Sequence, residues 1–194
     1  MDAPNAIRVA NESSLVPDKA KVGWPTHWDY RRRTYGAKLM TELAAEHGVS
    51  LGACLKGTRI DRESLNDPIA EITGHQEVDL VTNIIRALPG VPEIGLESGS
   101  QYHLPAYGIW GYALMSSPTV RDAVELGLRC VHLTYAFSKF EIAELPDRLR
   151  MWVDYGDIPG PARRVLVERD ISAVFHMWEE LLGEGPRLMP SGTP

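Results

Sequence analysis

A chain of 194 residues, 44% hydrophobic and 24% charged, has room for one sizeable core and is short for two. Its 20 basic and 26 acidic residues give a net charge of −6, which argues against a nucleic-acid surface built by this chain. No run approaches the roughly 18 apolar residues of a membrane span, the start MDAPNAIRVANESS lacks a signal-peptide layout, and Cys54 and Cys130 have no paired spacing, so the expectation is a cytoplasmic protein without disulfides or membrane contact.

Residues 1–30 carry Pro4, Pro17, Pro25 and Gly23 without sustained periodicity and read as an extended or poorly ordered lead-in, which Trp24 and Trp28 could dock. From Asp29 to His47, Tyr35, Leu39, Met40 and Leu43 recur at helical spacing, and Gly48 supplies the stop. The segment SLGACLKGTRIDRESLNDP, residues 50–68, has the punctuation of short helical turns. Thr73 with Gln76 matches a capping box, and Val78, Val81, Ile85 and Leu88 mark one face of a second long helix ending at Pro89-Gly90.

The stretch YGIWGYALM, residues 107–115, crowds Tyr107, Trp110 and Tyr112 around Gly108 and Gly111. Two readings stay open: a packing corner where glycine permits close backbone approach, or the wall of a ligand pocket. Ser117 and Pro118 then predict the cap and first position of a third helix, whose inner stripe is Val120, Ala123, Val124, Gly127 and Val131. His132 and Tyr135 follow it and are candidates for orienting a polar group of a ligand, or a satisfied structural pair. FSKFEIAEL and RLRMWVDY, joined at Pro146-Asp147, predict an antiparallel hairpin with Leu149, Met151, Val153 and Tyr155 on one face and Trp152 on the other, covered or exposed as a contact surface. Val167, Ile171, Val174, Phe175, Trp178, Leu181 and Leu182 trace a final long helix that Gly183 ends. Val165, Leu166 and Met177 lie off that stripe and call for other cover, from a second copy of the chain or from neighbouring elements of the same chain. Arg163-Arg164 is a solvated face or a site for a carboxylate at the helix start.

Chemistry-bearing motifs are missing: the sequence contains no G-x-S-x-G, P-loop, G-x-G-x-x-G, H-E-x-x-H or C-x-x-C, so no catalytic residue, cofactor or metal ligand is expected. Cys130 and His132, placed on a helix, would point about 200° apart and could not share one metal.

The segment from Gly95 to Phe137, with its glycine-flanked aromatics and SSPT helix start, followed by the hairpin and PGPARRVLVERDISAVFHMWEELLGE, resembles the N-terminal sensory domain of AraC-type transcriptional regulators, in the subfamily described as arabinose-binding. The resemblance runs from about Tyr30 to Glu184. It implies a domain that senses a small effector and dimerises, attached to a C-terminal half of two helix-turn-helix units that binds DNA. The chain ends at residue 194, where that family continues into the DNA-binding half, so DNA contact is expected only through the missing part.

The fold expected is a single mixed α/β domain, residues 31–184, with helices packed around a small antiparallel sheet and residues 185–194 as linker. An apolar pocket between helices and sheet would hold a hydrophobic small molecule, with Tyr107, Trp110, Tyr112, His132, Tyr135 and Trp152 as candidate contacts. A ligand-free dimerisation module and an enzyme using the same pocket are the alternatives.

Overall fold

The computed structural model describes residues 6–10, 30–145, 148–156, 158–183, 185 and 187–188. The docking of Trp24 and Trp28, the Pro146-Asp147 turn and most of the tail lie outside these residues. A strand β1 (Ala6–Ala10) and a short antiparallel pair, β2 (Arg32–Arg33) with β3 (Glu71–Ile72), belong to the first half of the chain. Helix α1 (Tyr35–Glu46) starts at Tyr35 and not at Asp29 as its apolar spacing suggests. Extended backbone wins before Tyr35 because Arg32 is buried as a strand residue, its guanidinium 4.3 Å from the Tyr30 ring centre and 4.0 Å from that of Phe137.

Helix α2 (Leu51–Leu55) is the first of the short turns, capped by Ser50, whose hydroxyl accepts the Ala53 N–H. Helix α3 (Gly74–Ala87) carries the expected capping box: Thr73 Oγ1 accepts the Gln76 N–H at 3.2 Å, and Gln76 Oε1 accepts the Thr73 N–H at 3.0 Å. Two helices that the sequence pattern does not announce follow, α4 (Ile94–Gly99) and α5 (Ile109–Met115). The third predicted helix, α6 (Val120–Arg129), begins later than Ser117-Pro118. Thr119 is its cap, accepting the Asp122 N–H at 3.1 Å, while Ser116 and Ser117 donate back to the Tyr112 and Ala113 carbonyls and close α5 instead.

Strands β4 (Lys139–Leu145) and β5 (Arg148–Asp154) form the antiparallel hairpin, with Ile142 opposite Met151. β1 adds in parallel to the other side of β5, and β6 (Arg187–Leu188), from the segment expected to be linker, adds in parallel to β1. The final helix α7 (Gly160–Leu182) ends at Gly183, where φ is +73°, a conformation glycine adopts without a side-chain clash.

The orientation of α7 departs from its apolar stripe. Its buried positions are Ala162, Val165, Leu166, Arg169, Asp170, Ala173 and Trp178, whereas Val167, Ile171, Val174 and Phe175 are half-buried. The inner face is marked by two charged residues, which a hydropathy reading assigns to solvent. Cover for Val165 and Leu166 comes from the same chain and not from a second copy: both join the core built by α1, α3 and Ile94 of α4. Helix α4 approaches α7 through glycines. A Cβ at Gly99 would stand 2.4 Å from the Arg169 carbonyl oxygen, and one at Gly95 2.6 Å from that of Val165.

Candidate functional site

The aromatic stretch is built by two glycines with different tasks. Gly108 adopts φ +57° between a 3₁₀ turn (Leu104–Tyr107) and α5, and Gly111 sits so close to that turn that a Cβ would lie 1.7 Å from the Leu104 carbonyl oxygen. Both turn Tyr107 and Trp110 inward. Trp110 is buried, and its indole N–H donates to the Gly127 carbonyl of α6 at 3.3 Å. Tyr107 packs at a tilt against Trp110 and Tyr135, with ring centres 5.1 and 5.4 Å apart, and Tyr102 stands 5.9 Å from both Tyr107 and Tyr135. Tyr135 ties this cluster to the 3₁₀ turn by donating to the Ala106 carbonyl at 3.2 Å.

Behind these rings lies a cavity of about 100 Å³. Its walls come from the 3₁₀ turn, α5, α6, the hairpin through Phe140, Ile142 and Met151, and α7 through Ala173, Val174 and Trp178. Trp178 is buried, and its indole N–H has no hydrogen-bond partner among the described residues. Trp110 both anchors α5 on α6 and lines this cavity.

One end of the cavity is ionic. Arg169 and Asp170 line it and belong to a buried network. Arg169 donates to Glu77 Oε1 at 2.7 Å, to the Tyr135 carbonyl at 2.9 Å and to Asp170 Oδ1 at 3.1 Å. Asp170 Oδ2 accepts the N–H groups of Phe137 and Ser138 at 2.8 and 2.7 Å, and Arg32 faces the second Glu77 oxygen at 3.6 Å. Two positive and two negative groups thus balance inside the core, joining α3, α7, β2 and the segment leading into the hairpin.

Burial pushes the phenols of Tyr102 and Tyr107 upward, and that of Tyr135 up to about 12, with the neighbouring Tyr35 adding to the last. A raised phenol favours the neutral form in the fold, so its stabilisation is complete below the unfolded value of about 10 and is lost as pH rises through about 12. The expected outcome is an alkaline unfolding transition. Phenolate absorbance from these tyrosines should appear together with the loss of near-ultraviolet circular dichroism, and absorbance preceding unfolding would count against their burial.

Residues 48–189 match the family model described as the N-terminal arabinose-binding domain of AraC transcription regulators. The chain belongs to this family. It is similar to uncharacterised HTH-type transcriptional regulators of Mycobacterium bovis and Mycobacterium tuberculosis, at 29% identity over 151 residues, which is 78% of this chain and 44% of each of those proteins. It is also similar, at 32% identity over 93 residues, to an ornithine utilization regulator of Pseudomonas aeruginosa, covering 48% of this chain and 27% of that protein. The chain therefore spans less than half the length of these relatives.

In this AraC-type domain the structure brings Tyr107, Trp110 and Tyr135 together at the cavity. The other three sequence candidates lie apart from it. Tyr112 is 59% exposed on the outer face of α5 beside Ile109, because the helix turns Trp110 and Leu114 inward. His132 lines a second, wider cleft of about 680 Å³ on the far side of Tyr107 and Tyr135, with Arg31, Lys38 and Asp67. Trp152 is half-buried on the sheet face opposite Met151, with the Arg150 guanidinium 5.7 Å from its ring. Cys130 and His132 share no helix, since α6 ends at Arg129. Arg163 and Arg164 are engaged locally, with the Ile158 carbonyl at 3.0 Å and Glu168 at 2.7 Å.

Sequence reasoning passed over Tyr102, Arg169, Asp170, Ala173 and Trp178 as site residues. A usable signal was present for α7: Ala162, Leu166, Arg169, Asp170 and Ala173 recur at helical spacing, and an Arg-Asp pair inside such a stripe marks a buried ion pair when a partner carboxylate is near. No helix among the described residues is long and apolar enough to cross a membrane.

Proposed function

We propose that this chain is the effector-sensing part of an AraC-type transcription regulator, and that a small hydrophobic molecule binds in the cavity between α5, α6, the hairpin and α7. The observation that carries the reading is an almost wholly apolar cavity bordered by one buried ion network, in a domain of a regulator family. An apolar cavity of about 150 Å³ is sufficient for benzene. A space of about 100 Å³ takes a slightly smaller molecule, or one of that size once the flexible Met177 at its wall moves. The indole N–H of Trp178, unpaired among the described residues, supplies one donor for a polar group on the ligand.

Binding is favoured over chemistry by the way Asp170 is used. Both of its oxygens are engaged by Arg169, Phe137 and Ser138, so it acts as an anchor with no lone pair directed at a substrate proton. In this reading the sensory unit spans residues 31–184 and acts by linkage: effector binds one arrangement of the domain better, and an attached helix-turn-helix half, supplied outside residues 1–194, follows that shift on DNA in the cytoplasm. A homodimer belongs to the reading through the family, with its contact away from Val165 and Leu166, which the chain itself covers.

The test is a thermal-shift screen of the purified chain against small aromatic and aliphatic compounds, repeated on Ala173→Leu, which fills the cavity. At least one compound should raise the melting temperature of the wild type and leave the variant unmoved. A screen with no stabilising compound, or equal shifts in both proteins, would sink the reading.

A further inference from the structure

We propose that His103, His176 and Glu180 form a binding site for a first-row divalent metal ion, with Zn²⁺ the best fit, on the surface of the domain outside the effector cavity. His176 and Glu180 lie one turn apart on α7, and His103 stands immediately before the 3₁₀ turn that carries Leu104 and Tyr107. Their ligand atoms converge: His103 Nδ1 is 2.6 Å from Glu180 Oε1 and 3.2 Å from His176 Nε2, and His176 Nε2 is 3.9 Å from Glu180 Oε1. Zn–N bonds of about 2.0–2.1 Å in a tetrahedron require ligand atoms about 3.3 Å apart. The three separations bracket that value, so a modest turn of the exposed His103 ring and of the carboxylate equalises them.

Protons serve this arrangement poorly. One proton on His103 Nδ1 can point at the Glu180 carboxylate or at His176 Nε2, and it leaves the other contact without a donor. A cation at the centre satisfies all three atoms. The surroundings are also those of a metal site. The second Glu180 oxygen accepts the Leu104 N–H at 2.7 Å, which fixes the carboxylate, and the Glu179 carboxylate stands 3.6 Å from His176 Nδ1, on the side that leaves Nε2 facing the centre. Two imidazoles and one carboxylate suit Zn²⁺, Co²⁺ or Ni²⁺ better than the hard cations Mg²⁺ or Ca²⁺, and solvent supplies the remaining ligands. Because Tyr102 and Leu104, the neighbours of His103, line the cavity, a bound ion would clamp α7 to one cavity wall. The site itself stands independently of what that cavity holds.

The experiment uses the chain stripped with chelator and free of any histidine tag. ZnCl₂ is titrated by calorimetry, and CoCl₂ is followed by its visible absorption. One equivalent of metal should bind, and Zn²⁺ should raise the melting temperature. His103→Ala, at a mostly exposed side chain, and His176→Gln should each weaken binding roughly 100-fold, since each removes one of three protein ligands. Glu180→Gln keeps an acceptor for the Leu104 N–H and should lose the metal response while retaining the far-ultraviolet circular dichroism of the wild type. Failure of the wild type to bind either ion at micromolar concentration would overturn the proposal. So would unchanged affinity in the two histidine variants, which would place the ion elsewhere.

Discussion

Replacing Arg169 with alanine is expected to destabilise the domain by about 3–5 kcal/mol, enough to unfold a marginal protein. The guanidinium is 1% exposed and holds Glu77, Asp170 and the Tyr135 carbonyl simultaneously, so its removal leaves two carboxylates facing each other's field inside the core. Loss of the charge is only part of the effect. Asp170 keeps its two backbone partners, whereas Glu77, which is fully buried, keeps only Arg32 at 3.6 Å among the described residues. The double variant Arg169→Ala/Glu77→Gln should therefore be less damaged than the sum of the two single changes, because it removes the stranded charge as well. Urea midpoints of the four proteins check this. Additive effects would mean that the two groups do not act as a pair.

Trp110→Ala is expected to cost about 3–5 kcal/mol, as a large aromatic truncated in a core with partial collapse around it. The substitution removes the hydrogen bond to the Gly127 carbonyl, the tilted ring contact with Tyr107 at 5.1 Å and one wall of the cavity. The space left is continuous with a cavity already there, so this site is well placed to accept an added ring. Indole at millimolar concentration should restore part of the lost melting temperature in Trp110→Ala and do much less for the wild type. A variant as stable as the wild type, or one that indole does not help, would show that α5 does not depend on this anchor.

Features of this chain that depend on residues three or four apart, or on strict alternation, were legible without any structure. Thr73 and Gln76 form the capping box because the two groups bond each other's backbone, whatever lies beyond. The hairpin followed from the alternation of Leu149, Met151 and Val153, and the end of α7 from Gly183. The family was legible as well, in the aromatic stretch and the long final helix.

Tertiary structure decided which side each element presents. Tyr112 and Trp110 lie in the same seven-residue helix, yet only packing of α5 on α6 sends one to solvent and the other inside. Gly95 and Gly99 carry no local signal of their role, which is to let α4 lie on α7 at backbone contact. Helix α7 shows the limit most sharply. Its apolar stripe predicts one inner face, and the fold buries another that includes Arg169 and Asp170, because Glu77, Arg32 and the N–H groups of Phe137 and Ser138 arrive from distant parts of the chain to pair them. Local spacing records the free energy of a residue with its near neighbours. The free energy of burying a charge depends on partners that only the folded chain brings within reach.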